Sequence, residues 1–478
     1  MSDIQLVWFR SDLRTVDQIA LAEAARCGPV VAVHCLCPAQ LRAHDVGANR
    51  IAFVLRCLGA LATELDALGI PLRHLDAADF AAVPAALLAL AREVGAGALW
   101  FNDEHPIDEV RRDAAVVRTF EAAGLAVHRR CDDLIRAPGS VTTKTGDPYM
   151  VFTPFRRSWL ADLDLAAARP RARPAAQTRP QLASDPLPAM PAGLSSAVDP
   201  ELWPGGERAA QARLEAFVDG VEGAEDGRID AYARDRDLPA RAGTSSLSAY
   251  LSVGAISPRT CMDAVLEANE GRLDTGSEGA VTWMTELIWR EFYRHVVAAW
   301  PHVSRGHCFR REYDSLRWRD DPEALAAWQE GRTGFPLIDA AMRQLATTGW
   351  MHNRLRMVVA MFLSKNLLLD WRLGERHFMD QLVDGDFASN NGGWQWSAST
   401  GTDAAPYFRV FSPVSQSQRF DPEARFIRHW LPELADVELR RIHDPSIAGG
   451  IPDYPPPIVD AKASRQRAID AFRAHGDR

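Results

Sequence analysis

DGDFASNNGGWQWSASTGTDAAPYFRVFSPVSQSQ, residues 384 to 418, follows neither the period of an amphipathic helix nor the punctuation of a loop. Asp384, Asp386, Asn390 and Asn391 stand close to Trp394 and Trp396, with Gly392 and Gly393 between them. Glycine lets a backbone approach something flat and bulky. Amides and carboxylates meet the donor and acceptor edges of a ring, and indoles stack on its face. The stretch therefore has the composition of a site, and the segments around it supply the frame.

Those segments read as helix after helix: 207 to 219, 258 to 269, 280 to 299, 322 to 330, 336 to 348, 350 to 367 and 374 to 383. Ten of the fourteen tryptophans fall between 283 and 430, so the aromatic load belongs to this helical half. Two of its helices carry matching stripes. Glu286, Trp289, Arg290 and Tyr293 fall at i, i+3, i+4 and i+7, and so do Trp350, Asn353, Arg354 and Met357. Two such faces converging on residues 384 to 418 would line a pocket with stacking surfaces and polar tips. Trp289 and Trp396 suit the faces of extruded bases. Glu286 suits a pyrimidine's imide and carbonyl edge, with burial raising its pKa towards a donating role. Arg290, Arg354 and Gln416 suit phosphates or base edges.

The amino-terminal part has a different grammar. Residues 4 to 9, 29 to 35, 71 to 75, 98 to 102 and 125 to 129 are short runs rich in β-branched and aromatic residues, separated by segments of helical length. The alternation predicts a parallel, doubly wound sheet with helices on both faces. Ligands in such domains bind beyond the carboxyl ends of the strands. No GxGxxG or GxxxxGK[ST] follows any strand, which leaves a phosphate-cradling nucleotide site without support. From Ala161 to Gly206 prolines recur too often for helices or central strands, and the segment reads as an interdomain linker. The expected division is 1–135 for the α/β domain, 136–206 for the connection and 207–478 for the helical domain.

Composition narrows the classes further. Seven scattered cysteines without a CxxC argue against a disulfide framework and a zinc site. Asp384 and Asp386 fail the calcium-loop pattern because Ala388 stands where a third oxygen ligand is needed. No run approaches the length of a membrane span, and the expected location is the cytoplasm. The net charge of −9 opposes nucleic-acid binding as a whole-chain property. Locally the sign reverses: 286 to 311 carries five Arg against two Glu, and 340 to 376 carries five Arg and one Lys against one Asp and one Glu.

NNGGWQWSASTGTDAAPYFR (390 to 409) resembles the flavin- and substrate-site signature of the class I cyclobutane pyrimidine dimer photolyases, in the cryptochrome/photolyase family. TELIWREFYRHV (285 to 296), GFPLIDAAMRQLATTGWMHNRLRMVVAMFLSKNLL (334 to 368), GTSSLSAYLSVGAISPR (243 to 259) and WFRSDLR (8 to 14) are similar to further family blocks, in family order. The resemblance implies an α/β antenna domain, an all-helical FAD domain and light-driven splitting of pyrimidine dimers in UV-damaged DNA by a monomeric enzyme. It implies an FAD, active as FADH⁻, held by Tyr232, Thr244, Ser245, Ser246, Leu247, Ser248, Trp283, Glu286, Arg290, Asn353, Arg356, Asp384, Gly385, Asp386 and Asn390. Glu286, Asn390 and Met357 take the catalytic positions: Asn390 is the repair-type residue where plant-type cryptochromes carry Asp, and Met357 stands where (6-4) photolyases carry His. Trp394, Trp371 and Trp318 match the family's electron-transfer chain. Trp289, Arg290, Tyr293, Asn353, Arg354, Trp396 and Gln416 match DNA-contacting positions. Asp108 and Glu109 match the antenna site. Asp108 in place of Asn, and Ser304-Arg305 in place of Cys-Lys, depart from the folate-binding pattern; the implied antenna is 5,10-methenyltetrahydrofolate, with 8-hydroxy-5-deazaflavin or no antenna as alternatives.

Overall fold

The computed structural model describes residues 3–220, 228–447 and 450–476. Five strands, β1 (Ile4–Phe9), β2 (Val30–Leu36), β3 (Leu72–Asp76), β4 (Ala96–Asn102) and β5 (Ala126–Arg130), form one parallel sheet in the order β3-β2-β1-β4-β5. The central strands are hydrophobic on both faces, as strands covered by helices on both sides must be: in β1, Leu6 to Phe9 are 0–1% exposed. Strand order reverses direction between β1 and β4, so a crevice opens beyond their carboxyl ends.

Residues beyond the sheet are mostly helical, as the periodicities predict. The Phe152–Ala161 helix, inside the segment read as a connection, packs on the Glu278–Ala299 helix through Phe155 and Phe292, whose rings lie 5.2 Å apart. The proline-rich chain that follows lies along the α/β body. Gln177 N–H donates to Leu68 O at 2.9 Å and Asp185 N–H to Leu72 O at 2.8 Å, while the Asp185 carboxylate accepts from Arg73 and from His74 N–H.

Two helices differ from expectation. The run 350–367 begins as a helix only at Asn353, where His352 Nδ1 caps by accepting from Arg354 N–H, so Trp350 precedes the helix instead of heading its stripe. It then widens into a π-helical turn, Phe362–Asn366, and stops at Leu368, whose φ is +54°. Within 384 to 418 the structure contains a regular helix, Phe387–Ala398, capped by Asp386, and a second, Pro413–Phe420, capped by Ser412. The first lacks an amphipathic stripe because it is threaded between other helices. Its buried side chains, Ala388, Asn391, Trp394, Gln395, Ser397 and Ala398, fall on several faces.

The α/β body is locked to the helices by a buried charge network. Arg259 donates to Asp17 at 2.9 Å and to Asp132 at 2.6 Å, and Arg14 also pairs with Asp132. The side chains of all four are at most 5% exposed. Such a network fixes register more than it adds stability. Gly254, at φ +65°, brings the two backbones together: a Cβ there would stand 2.2 Å from Ser11 O.

Candidate flavin and substrate site

A cavity of about 520 Å³ opens in the helical half. The Glu278–Ala299 helix forms one wall with Trp283, Glu286, Trp289, Arg290 and Tyr293, and the Phe387–Ala398 helix faces it with Asn390, Gly393, Trp394 and Trp396. Asn353, Arg354, Arg356 and Met357 close a third side, Thr244 to Ser248 a fourth, and Tyr232, Trp350, Asp384 and Asp386 complete the lining. Thus most of the residues singled out from sequence converge. Gly385 lines a neighbouring cavity, and Gln416 lies on the Pro413–Phe420 helix outside the lining set.

The walls approach closely because of small residues at particular places. A Cβ on Gly392 would fall 2.2 Å from the Tyr293 ring, and one on Gly374 would fall 2.1 Å from the Trp394 ring. Gly393 meets nothing within 4 Å and faces open space. Ser246 adopts φ +50°, a left-handed conformation uncommon for a residue with a side chain, and strain of this kind collects at functional sites.

Polar groups of the lining are held by their neighbours. Arg356 donates to Asp384 Oδ2 at 2.8 Å, leaving the buried Asp384 Oδ1 without a partner. Asp386 caps its helix and pairs with Arg294 at 2.7 Å; burial opposes its charge, but Arg294 and Arg290 bring its pKa down to about 2. Asn390 Nδ2 donates to Glu375 O at 3.0 Å. Asn391 Nδ2 donates to the Glu375 carboxylate at 2.7 Å, and burial pushes that carboxyl up to about 7.

Geometry gives three of these residues protein partners, and for Glu286 it corrects the expectation of burial. Glu286 is not enclosed: its side chain keeps 32% exposure and is engaged as an acceptor by Arg236 at 2.6 Å, so the premise of burial fails. Arg290 is half-buried in the cavity wall, donating to Asp133 O and Leu251 O at 2.5 and 3.3 Å, which ties the wall to the α/β body. Burial lowers its pKa to about 10. Arg354 is likewise engaged, by both Asp237 oxygens at 2.8 Å and by the Phe420 ring at 4.5 Å.

Sequence reasoning missed Arg236, Arg294, Arg50 and Glu375. Arg294 follows Arg290 by four residues, and extending the stripe by one turn would have found it. Arg50 donates to Ser252 from a helix in the other body, which no local pattern reveals.

Trp394 borders the cavity, Trp371 is 0% exposed, and Trp318 is half-buried with its ring 6.2 Å from Phe472. The indole N–H groups of Trp371 and Trp394 are buried without partners. A second cavity, about 390 Å³, lies beyond the carboxyl ends of β1 and β4. Asp108 and Glu109 line it, with His44 3.4 Å from each and the buried Glu109 Oε2 unpartnered. Burial raises the Glu109 pKa.

An α/β body joined to a helical body with a deep, aromatic and hydrogen-bonding cavity is the architecture of a protein built around a large planar cofactor. Residues 5–177 match the family model described as DNA photolyase, and residues 283–474 match the FAD binding domain of DNA photolyase. The chain is 45% identical to the deoxyribodipyrimidine photo-lyase of Salmonella typhimurium and 42% identical to that of Escherichia coli, in each case over 98% of both chains. Among solved structures, a bacterial class III photolyase from Agrobacterium tumefaciens superimposes with a TM-score of 0.89 at 33% identity, covering 100% of this chain and 98% of that one. A Synechocystis cryptochrome superimposes at 0.84 with 28% identity, covering 98% and 99%. The chain belongs to the DNA photolyase family.

FAD fits the larger cavity on its own chemistry. The unpartnered Asp384 Oδ1 and Trp394 Nε1, the open face at Gly393 and the hydroxyls of the 244–248 turn provide acceptor, donor, flat and phosphate-facing surfaces.

Proposed function

We propose that the protein is a deoxyribodipyrimidine photo-lyase that splits cyclobutane pyrimidine dimers in UV-damaged DNA under blue light. The observation carrying this reading is the convergence of Glu286, Trp289, Asn390, Trp394, Trp396 and Met357 on one cavity beside the residues that would hold FAD. Bound and fully reduced, the flavin supplies a light-driven electron. The protein's share is binding, orientation and electrostatics.

In this reading Tyr232, Thr244 to Ser248, Trp283, Arg356 and Asp384 to Asp386 hold the cofactor, and Asn390 contributes its amide to the site. Trp289 and Trp396 stack the extruded pyrimidines, with Tyr293, Asn353 and Arg354 at their edges. Glu286, positioned by Arg236, accepts from the pyrimidine imide edge and steadies its orientation while the ring bonds break. Met357 closes the apolar side. Trp394, Trp371 and Trp318 carry electrons to an oxidised flavin. Gln416 supports the DNA face from outside the cavity, and Arg290 acts from within the wall.

In this reading residues 1–135 are an antenna domain, 136–206 a connection and 207–478 a catalytic domain. The smaller cavity is assigned to the antenna, with 5,10-methenyltetrahydrofolate favoured because Glu109 keeps a buried unpartnered oxygen suited to an amino-substituted ring. The enzyme acts as a cytoplasmic monomer. Among the described residues no helix is long and apolar enough to cross a membrane.

Binding in the dark tests the site independently of light. Protein purified with its FAD should prefer a dimer-bearing oligonucleotide over the same undamaged sequence, with affinity falling as salt rises. Equal affinity for the two oligonucleotides contradicts the reading.

A further inference from the structure

His105, Cys131 and Asp133 bring an imidazole, a thiol and a carboxylate together just beyond the sheet, with their ligating atoms all within 4.8 Å of one another. The fold makes this meeting. β4 and β5 lie side by side and parallel, so the segments that leave them, 103–106 and 131–133, emerge next to each other. Asp103 N–H fastens the two by donating to Arg130 O at 2.6 Å. Ligands drawn from two separate strand ends leave no CxxC, which is why the scattered cysteines carry no metal signature in the sequence.

The groups are already oriented. His105 Nε2 lies 3.3 Å from Asp133 Oδ1, while Arg294 donates to the other oxygen, Oδ2, at 2.8 Å and Arg290 donates to the Asp133 carbonyl. An outer partner of this kind holds a ligating carboxylate in place. The charge of Arg294 is answered on its far side by Asp386 at 2.7 Å. All three residues are partly buried, and His105 and Asp133 line the smaller cavity, which gives an ion a way in.

We propose that His105, Cys131 and Asp133 bind a divalent ion of the zinc class, leaving its fourth position to water on the side of the smaller cavity. One nitrogen, one sulfur and one oxygen suit zinc, whereas calcium and magnesium take oxygens. A tetrahedral ion holds such atoms roughly 3.3–3.8 Å apart, so the trio closes on it through side-chain movements of about 1 Å. The thiol proton leaves to solvent as the sulfur binds. Thiolate and carboxylate together then cancel the two charges of the ion. Bound there, it clamps the ends of β4 and β5, and through Asp133 and Arg294 it bears on Asp386 in the wall of the larger cavity.

The test uses FAD-bearing protein freed of metal by dialysis against a chelator, with Zn²⁺ as the probe. One equivalent of Zn²⁺ should slow iodoacetamide labelling of Cys131, read by peptide mass spectrometry, by about ten-fold or more. The exposed Cys27 should react equally with and without it. The parent should bind one Zn²⁺ with a dissociation constant of about 1 μM or below. His105→Gln and Cys131→Ser should each weaken binding by about 100-fold or more, since losing a group that only orients a ligand already costs about 10–100-fold. Cys27→Ser should bind as the parent does. Co²⁺ in place of Zn²⁺ should give the parent a thiolate-to-metal absorbance that Cys131→Ser lacks. The labelling needs no variant, so a substitution that disturbs folding does not decide the outcome. Labelling of Cys131 at one rate with and without Zn²⁺, or one-to-one binding that survives both ligand substitutions, overturns the site.

Discussion

Gly392 faces Tyr293 at a distance that only a residue without a side chain permits: a Cβ would stand 2.2 Å from the ring. The contact sets the spacing between the Glu278–Ala299 and Phe387–Ala398 helices, the two walls carrying most of the candidate chemistry. Gly392→Ala should lower stability by about 1–3 kcal/mol through overpacking, with flavin content falling alongside. Gly393→Ala meets no protein atom within 4 Å; it should keep or slightly raise the melting temperature while weakening FAD retention, because its Cβ would enter the cavity. Thermal melting and the flavin absorbance of the purified proteins check both.

Glu286 and Arg236 form an ion pair at 2.6 Å on the cavity rim. Removing the carboxylate should slow repair while the flavin stays bound. For Glu286→Gln, single-turnover repair after chemical reduction should fall by roughly one to two orders of magnitude. Loss of flavin from this variant would show that Glu286 supports the fold of the site instead.

Trp394 borders the cavity with its indole N–H unpartnered. Trp394→Phe should block light-driven reduction of an oxidised sample yet leave dithionite-reduced protein active. Inactivity after dithionite would remove Trp394 from an electron-transfer role.

Glu375 gives stability a pH dependence. Burial raises its carboxyl from 4.5 to about 7 in the folded protein. Below the unfolded value both states carry the proton, and the stabilising preference for the neutral carboxyl is fully present. As pH rises from 4.5 towards 7 the unfolded chain ionises first, so that contribution is lost. Between about pH 5 and pH 8 the parent should lose on the order of 1–3 kcal/mol more than Glu375→Gln, read as a gap between their denaturation midpoints that widens with pH. Parallel profiles would contradict the assignment.

Runs such as 4–9 and 98–102 foretold β1 and β4 within two residues, since the alternation of buried strands with helices is a local signal. The cavity was legible where helical spacing placed Glu286, Trp289 and Tyr293 on one face. It failed where partners come from far along the chain. Arg236, fifty residues before Glu286, decides that carboxylate's environment. Asp133 and Leu251 engage Arg290 through backbone carbonyls, which leave no mark in a pattern of side chains. The Phe387–Ala398 helix escaped periodicity analysis because a helix surrounded by protein has no solvent face, and Trp350 was placed on a helix that His352 caps two residues later.

The most direct measurement is the loss of cyclobutane dimers from a UV-irradiated oligothymidine incubated with purified, FAD-bearing, dithionite-reduced protein, in blue light and in darkness. Dimers should disappear in the light and persist in the dark. Persistence under both conditions, with reduced flavin bound, would contradict the assignment of this cavity to light-driven dimer repair.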